Sequence, residues 1–239
     1  MLIAGLLLLR LGRSAWRLHR LEASLRPGEC ALLIQAAHEL GLRRIPLLLI
    51  GPSDSVPMVW GVLKPRLLLP SGFETWSPEK QRGVLLHELA HLKRGDPLAL
   101  WAAQWVKALH WFNPLVWLTF RQLRADQERA CDDAVLRHGV RASDYAQSLL
   151  DLSRHNRLAP GLSLCALTIT RCAPVEARVK AILDPTRRRE GITLRWLAGL
   201  SACALLITLP MAMLHAIEGP PLRGRILDRN GVVLAESTK

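Results

Sequence analysis

Acidic residues are in deficit in this 239-residue chain: 20 Asp and Glu stand against 32 Lys and Arg, a formal net charge of +12. The positive excess comes with no aromatic-interleaved basic stretch and no helix-turn-helix pattern, so nucleic acid is not expected as a direct partner. Tyrosine is almost missing, Tyr145 being the single example. Five cysteines, Cys30, Cys131, Cys165, Cys172 and Cys203, form no Cys-x-x-Cys pair. That excludes a dithiol redox motif and fits free, reduced thiols, with Cys131 a packing residue. No basic residue precedes the apolar N-terminus, which excludes a secretory signal. Internal repeats and low-complexity tracts are also absent.

What the chain has instead is apolar bulk. Half of its residues are hydrophobic and the mean hydropathy is +0.16. Together with excess arginine this describes a membrane protein with cytoplasmic flanks, with lipid among its partners. Trp196 to Ile217 carries no formal charge, is interrupted only by Pro210 and His215, and has the length a bilayer core requires. Lys180, Arg187, Arg188, Arg189 and Arg195 precede it. Although Arg223, Arg225 and Arg229 follow, the preceding domain is expected inside and the C-terminus outside. Met1 to Leu9 is too short to span and turns basic through Arg10, Arg13, Arg17, His19 and Arg20. It has the form of the last turns of a truncated transmembrane helix. Pro97 to Leu118 is broken by Lys107, His110 and Asn113-Pro114, as expected of two helices packed on the core or lying at the membrane surface. The expected organisation is a helix end and basic flank over 1–20, a catalytic domain over 21–190, a span over 196–217 and the start of an external domain over 218–239.

The chemistry is concentrated in His87-Glu88-Leu89-Ala90-His91. Residues four apart share one face of a helix, so both imidazoles can face one zinc ion, with Glu88 beside its open position as general base. The helix is well marked: Ser77 can cap it, Pro78 suits its first position, and Gly95 stops it after Lys93 and Arg94. A catalytic zinc takes three protein ligands. On a second helix, Pro114 to about His138, Glu128 is the choice for the third. Asp132, one turn on, then accepts the spare N–H of a metal-bound histidine. Asp126 and Asp133 lack a second carboxylate four residues on. Zinc makes hydroxide accessible near neutral pH by lowering the pKa of its water to about 7. Tyr145, His110 or an arginine could supply a second oxyanion donor; for Tyr145, packing against the long helix is preferred.

Elsewhere, Leu21 to Leu42 has helical spacing and Ile45 to Ile50 is a short apolar strand. Trp60 to Leu63 and Arg66 to Leu69 form a hairpin around Lys64-Pro65, and Ala142 to Leu152 is a helix. The sheet offers an edge on which an extended peptide substrate can add as a strand.

Three runs resemble the BlaR/MecR-type membrane zinc metallopeptidases: His87 to Asp96, Trp111-Phe112-Asn113-Pro114-Leu115-Val116-Trp117, and Glu128-Arg129-Ala130-Cys131-Asp132-Asp133-Ala134-Val135-Leu136. Val59 to Pro70 and Ser143-Asp144-Tyr145-Ala146 extend the likeness to roughly residues 10–185. The resemblance implies an α+β, mostly helical gluzincin core with a small sheet, plus a transmembrane helix. It also implies zinc on His87, His91 and Glu128, and cleavage of a repressor-like cytoplasmic protein, or of the chain itself, in antibiotic-response signalling. The alternative is a non-catalytic signalling scaffold with a structural or silent metal site. Separately, Arg223 to Ala235 resembles the segment after the membrane anchor of class B penicillin-binding proteins, and Asn230-Gly231 within it is a hairpin signal. No Ser-x-x-Lys transpeptidase motif accompanies that segment.

Overall fold

The computed structural model describes residues 2–155, 167–168, 175–187, 189, 226–227 and 233–235. Helix α1 spans Leu2–Ser24. The helix expected over residues 21–42 is divided, because Pro27 and Gly28 fall inside it: proline removes an amide donor and glycine favours no helix. The chain instead forms a short strand, β1 (Arg26–Pro27), then α2 (Ala31–Glu39). Three further strands follow, β2 (Leu47–Gly51), β3 (Met58–Trp60) and β4 (Arg66–Pro70). The expected hairpin forms with Trp60 opposite Arg66. Its first strand ends at Trp60 because Gly61 turns the backbone at φ 87°.

With β5 (Leu167–Thr168) these strands make a mixed five-stranded sheet, ordered β1-β2-β4-β3-β5, in which only β2 and β4 run parallel. Alternate residues serve opposite faces. Leu48, Val59, Leu67 and Leu69 pack in the main core with Leu33 and Ala37 of α2. Leu49, Met58, Trp60 and Leu68 face the other way onto Leu18 of α1, with Trp101 against them. Burial on both faces explains why these strands are apolar runs rather than alternating ones.

Helix α3 (Pro78–Arg94) starts where Ser77 Oγ accepts from the Lys80 amide at 3.3 Å and ends at Gly95, φ 73°. Ser77-Pro78-Glu79-Lys80 has Ser-x-x-Lys spacing, and this cap is what it is used for. Gly95 turns directly into α4 (Asp96–Leu109), and Asn113 caps α5 (Pro114–Arg137), so the apolar stretch over 97–118 is two helices. Helices α6 (Ala142–His155) and α7 (Val175–Leu183) close over α3 and α5. The whole is mostly helical with a small mixed sheet, an α+β arrangement. Among the described residues no helix is long and apolar enough to cross a membrane. Trp196 to Ile217 lies outside them. The chain divides into two units, Met1–Arg189 and Glu190–Lys239. In the second, β6 (Ile226–Leu227) and β7 (Val233–Ala235) pair antiparallel on either side of Asn230-Gly231.

Gly61 and Gly95 separate two costs of adding a side chain. Both hold positive φ, but a Cβ on Gly61 would lie 2.3 Å from the Lys64 carbonyl oxygen, while one on Gly95 meets nothing within 4 Å. Gly95→Ala should therefore cost about 1–2 kcal/mol, the left-handed backbone penalty alone, and Gly61→Ala distinctly more. Equal losses of thermal stability for the two variants would contradict this.

Candidate metal centre

α3 and α5 pack against each other in the middle of the first unit. One turn of helix separates His87 from His91, and the two rings stand edge to face with centroids 5.0 Å apart. Opposite them on α5 is Glu128: Oε2 lies 3.5 Å from His87 Nε2 and Oε1 lies 3.7 Å from His91 Nε2. The three residues are completely buried, and their ligating atoms all fall within 4.8 Å of one another. Glu88 is equally buried.

His87 Nε2, His91 Nε2 and both oxygens of Glu88 and of Glu128 have no hydrogen-bond partner. Buried polar atoms almost always have one, and leaving them without costs about 1–3 kcal/mol each. Two imidazole nitrogens and a carboxylate converging on one point are the donor set of a divalent metal site. The residues therefore fit a metal ion on His87, His91 and Glu128. A second possible cluster, His91, Asp96 and Cys131, shares a histidine with the first. In it His91 uses the other ring nitrogen, and burial pushes the Cys131 thiol up, with Asp96 adding to the effect. A protonated thiol is a poor ligand, so this trio is better suited to orienting His91.

The far nitrogens are held differently. His91 Nδ1 is 2.9 Å from Asp96 Oδ2 and 3.2 Å from Cys131 Sγ. His87 Nδ1 is 2.8 Å from the Tyr145 hydroxyl, which donates to Asp132 Oδ1 at 2.7 Å. Burial, then Asp132, raises the Tyr145 pKa well above its ordinary value, so the hydroxyl stays a donor. With Tyr145 donating to Asp132, its oxygen is left to accept from His87, and Nε2 points at the cluster as an acceptor. Tyr145 is thus more than packing, the role preferred for it above. Asp132 Oδ1 itself stands 3.3 Å from His87 Nδ1, so hydroxyl and carboxylate meet the same ring nitrogen side by side.

Arg178, from α7, completes the network. It is 1% exposed and grips Asp132 with two hydrogen bonds, Nε to Oδ2 at 2.9 Å and Nη2 to Oδ1 at 2.6 Å. Its Nη1 is 2.9 Å from Glu128 Oε2, an ion pair without hydrogen-bond alignment. Burial opposes ionisation of both carboxyls, but Arg178, then His87, hold Asp132 and Glu128 below the usual carboxylate range. Burial also opposes a charge on His87, and is outweighed by Asp132 and Glu128, which bring its pKa up to about 9. His91 goes down, because burial prevails over Asp96. Glu88 is pushed up to about 8 by burial, against the pull of His87.

The other residues considered from sequence lie apart. Asp126 is exposed and pairs with Arg129; Asp133 pairs with Arg187 and Arg189. His110 is exposed at the end of α4, its Nδ1 against the Val106 carbonyl. Sequence reading missed Arg178, Asp96 and the bridging role of Tyr145. Asp96 had a local signal: it directly follows the Gly95 reversal, which turns the next residue back beneath His91. Arg178 had none beyond a general need for a cation beside buried carboxylates. At one end of the sheet the two-residue β5 pairs with Met58 and Val59 of β3, so the edges of the sheet are β1 and β5.

A buried cluster of two histidines and one glutamate, with a further carboxyl on the same helix turn, could hold a metal ion. The class of protein follows from comparison with known proteins. Residues 2–182 match the family model described as BlaR1 peptidase M56. The chain belongs to that family, the BlaR/MecR-type metallopeptidases. It is 38% identical over 87 residues to the regulatory protein BlaR1 of Bacillus licheniformis, covering 36% of this chain and 14% of that protein. It is 32% identical over 100 residues to the methicillin resistance mecR1 proteins of Staphylococcus aureus and Staphylococcus epidermidis, covering 41% of this chain and 17% of each. The aligned part is thus under a fifth of these relatives' length.

Removing Arg178 tests the buried charge balance. Arg178→Met leaves Asp132 without its cation and should destabilise the unit by about 3–5 kcal/mol. Adding Asp132→Asn should recover part of the loss. Unfolding of the two variants measured side by side decides it; additive losses would show that the ion pair does not bear on stability.

Proposed function

We propose that this chain is a zinc endopeptidase of the gluzincin type, with zinc on His87, His91 and Glu128 and Glu88 as general base. The observation that carries the reading is Glu88 itself. It is a fully buried carboxyl with neither oxygen hydrogen-bonded, on the same helix turn as both histidines. A structural site has no use for such a group and favours four protein ligands, where three converge in this protein. That weighs against the alternative of a non-catalytic scaffold with a structural or silent metal.

When bound, zinc supplies a Lewis acid and a water acidic enough to lose its proton near neutral pH. The chain's residues do the rest. Glu88, its carboxylate basic through burial, takes the proton and returns it to the leaving amine. Tyr145 with Asp132 holds the His87 ring, and Asp96 with Cys131 holds the His91 ring, so that both Nε2 atoms stay directed at one point. Arg178 keeps Asp132 ionised and steadies Glu128.

The substrate is read as a cytoplasmic regulatory protein of repressor type, or the chain itself. The relatives' names, a regulatory protein and methicillin resistance proteins, support a role in signalling linked to β-lactam or cell-wall sensing. We place the catalytic domain over 21–190, a membrane span over 196–217 and an external start over 218–239.

Glu88→Gln should retain zinc and lose cleavage, whereas Glu128→Gln should lose zinc and Asp126→Asn should change neither. Metal content and turnover of a cleaved partner are measured together; native-rate cleavage by Glu88→Gln removes the assigned base. For orientation, a cysteine replacing Ser237 should react with a membrane-impermeant thiol reagent on intact cells and one replacing Ser153 should not. The reverse pattern overturns both the topology and the inside-acting role.

A further inference from the structure

The surface of α4 and the first turns of α5 is unlike the rest of the first unit. Leu98, Trp105, Leu109, Phe112, Leu115 and Leu118 are all exposed, Phe112 at 68%. Between Leu98 and Phe120 the sequence has one formal charge, Lys107, and that side chain is turned inward. It is 7% exposed, with Nζ 5.2 Å from the centre of the Trp117 ring and 4.1 Å from that of Phe120. No charged group of this stretch therefore faces out. Soluble surfaces seldom leave so continuous an apolar patch uncovered.

Part of the backbone in the turn joining the two helices is satisfied internally. The His110 amide donates to Val106, the Asn113 amide to His110, and the Leu115 amide to Asn113 Oδ1, all at 2.9–3.0 Å. Trp117 Nε1 donates to the Trp111 carbonyl at 2.9 Å. Each bond of this kind lowers the cost of placing backbone in hydrocarbon, where water is missing. At the opposite end of the two helices the charge is positive: Lys93 and Arg94 precede α4, and Arg121 and Arg124 follow the apolar part of α5. Helix α1, which packs against α4, has exposed Arg10, Arg13, Arg17 and Arg20 along its length.

We propose that α4 and the first turns of α5 form a re-entrant hairpin that enters one leaflet of an anionic bilayer, with Phe112 near its deepest point and Lys93, Arg94, Arg121 and Arg124 at the headgroups. At 14 residues, α4 rises about 20 Å, enough to enter a hydrocarbon core about 30 Å thick and too little to cross it. The occupant of the patch is lipid rather than protein because the basic base complements anionic headgroups and the one cation within the apolar stretch is hidden on aromatic rings. This deepens the membrane location proposed above and rests on it. On this reading the hairpin is joined rigidly to the metal centre, since the helix that starts at its tip carries Glu128.

The test uses the full chain, with an environment-sensitive fluorescent amino acid replacing Phe112 or Gln122, in vesicles of phosphatidylcholine and phosphatidylglycerol. Flotation first reports membrane association by any segment. Nitroxide lipids labelled deep in the acyl chain should quench the probe at 112 several-fold more than the probe at 122, and aqueous iodide should show the opposite order. A chain that floats while iodide reaches position 112 overturns the hairpin and leaves the membrane location standing. A chain that does not float overturns both. Shielding of position 112 from iodide and nitroxide alike would mean that protein, this chain's own apolar segment or a second copy, covers the patch, and it too overturns the proposal.

Discussion

One buried guanidinium governs the centre of this protein. Glu128 and Asp132 lie one helical turn apart with no access to water, and a carboxylate so placed is costly unless a partner meets it. Arg178 meets both, hydrogen-bonding to one and ion-paired with the other. Its reach sets where α7 must lie, and the apolar residues of that helix follow: Ile182 enters the same core as Leu149, Leu152 and Val135. Arg187 and Arg189, a few residues on, close onto Asp133 of the same helix. The end of the first unit is thus fastened to α5 through charge as much as through packing.

The two histidines reach the same orientation by unlike means. His91 is braced by Asp96 and the Cys131 thiol; His87 is braced through a tyrosine hydroxyl that hands the interaction on to Asp132. The hydroxyl and the Asp132 carboxylate together fix the ring, both lying close to the same nitrogen. The two rings also differ in tendency: burial prevails at His91 and lowers its pKa, whereas Asp132 and Glu128 outweigh burial at His87 and raise it.

Polarity in the first unit is partly inverted. Charged groups are concentrated at the buried junction of α3 and α5, while the α4–α5 turn exposes leucine and phenylalanine. Helix α5 belongs to both regions, apolar over its first turns and carboxylate-bearing after Gln122. The change occurs at Arg121 and Arg124, where the helix passes from one environment to the other. That division of a single helix gives the amphipathic pattern of its sequence a physical meaning that a simple core-facing helix would not have.

Much of the site was legible because it is local. His87, Glu88 and His91 share one helix, and 3.6-residue periodicity alone brings the imidazoles together. Ser77 and Gly95 mark its ends by hydrogen-bonding and φ preferences that need no neighbours. Glu128 and Asp132 could be paired by the same periodicity, and Asn113-Pro114 separated α4 from α5. Other features depended on distance. Nothing near Arg178 marks it as the partner of residues 46 positions away, and nothing near Tyr145 marks its hydroxyl as the bridge to His87, 58 positions away. Pro27 and Gly28 broke a helix that apolar spacing had favoured, and β5 came from about a hundred residues away to pair with β3. Short-range order follows from backbone geometry and side-chain periodicity. Which buried charge meets which, and which edge is covered, is decided only when distant segments pack, because desolvation makes those pairings compulsory without specifying them in advance.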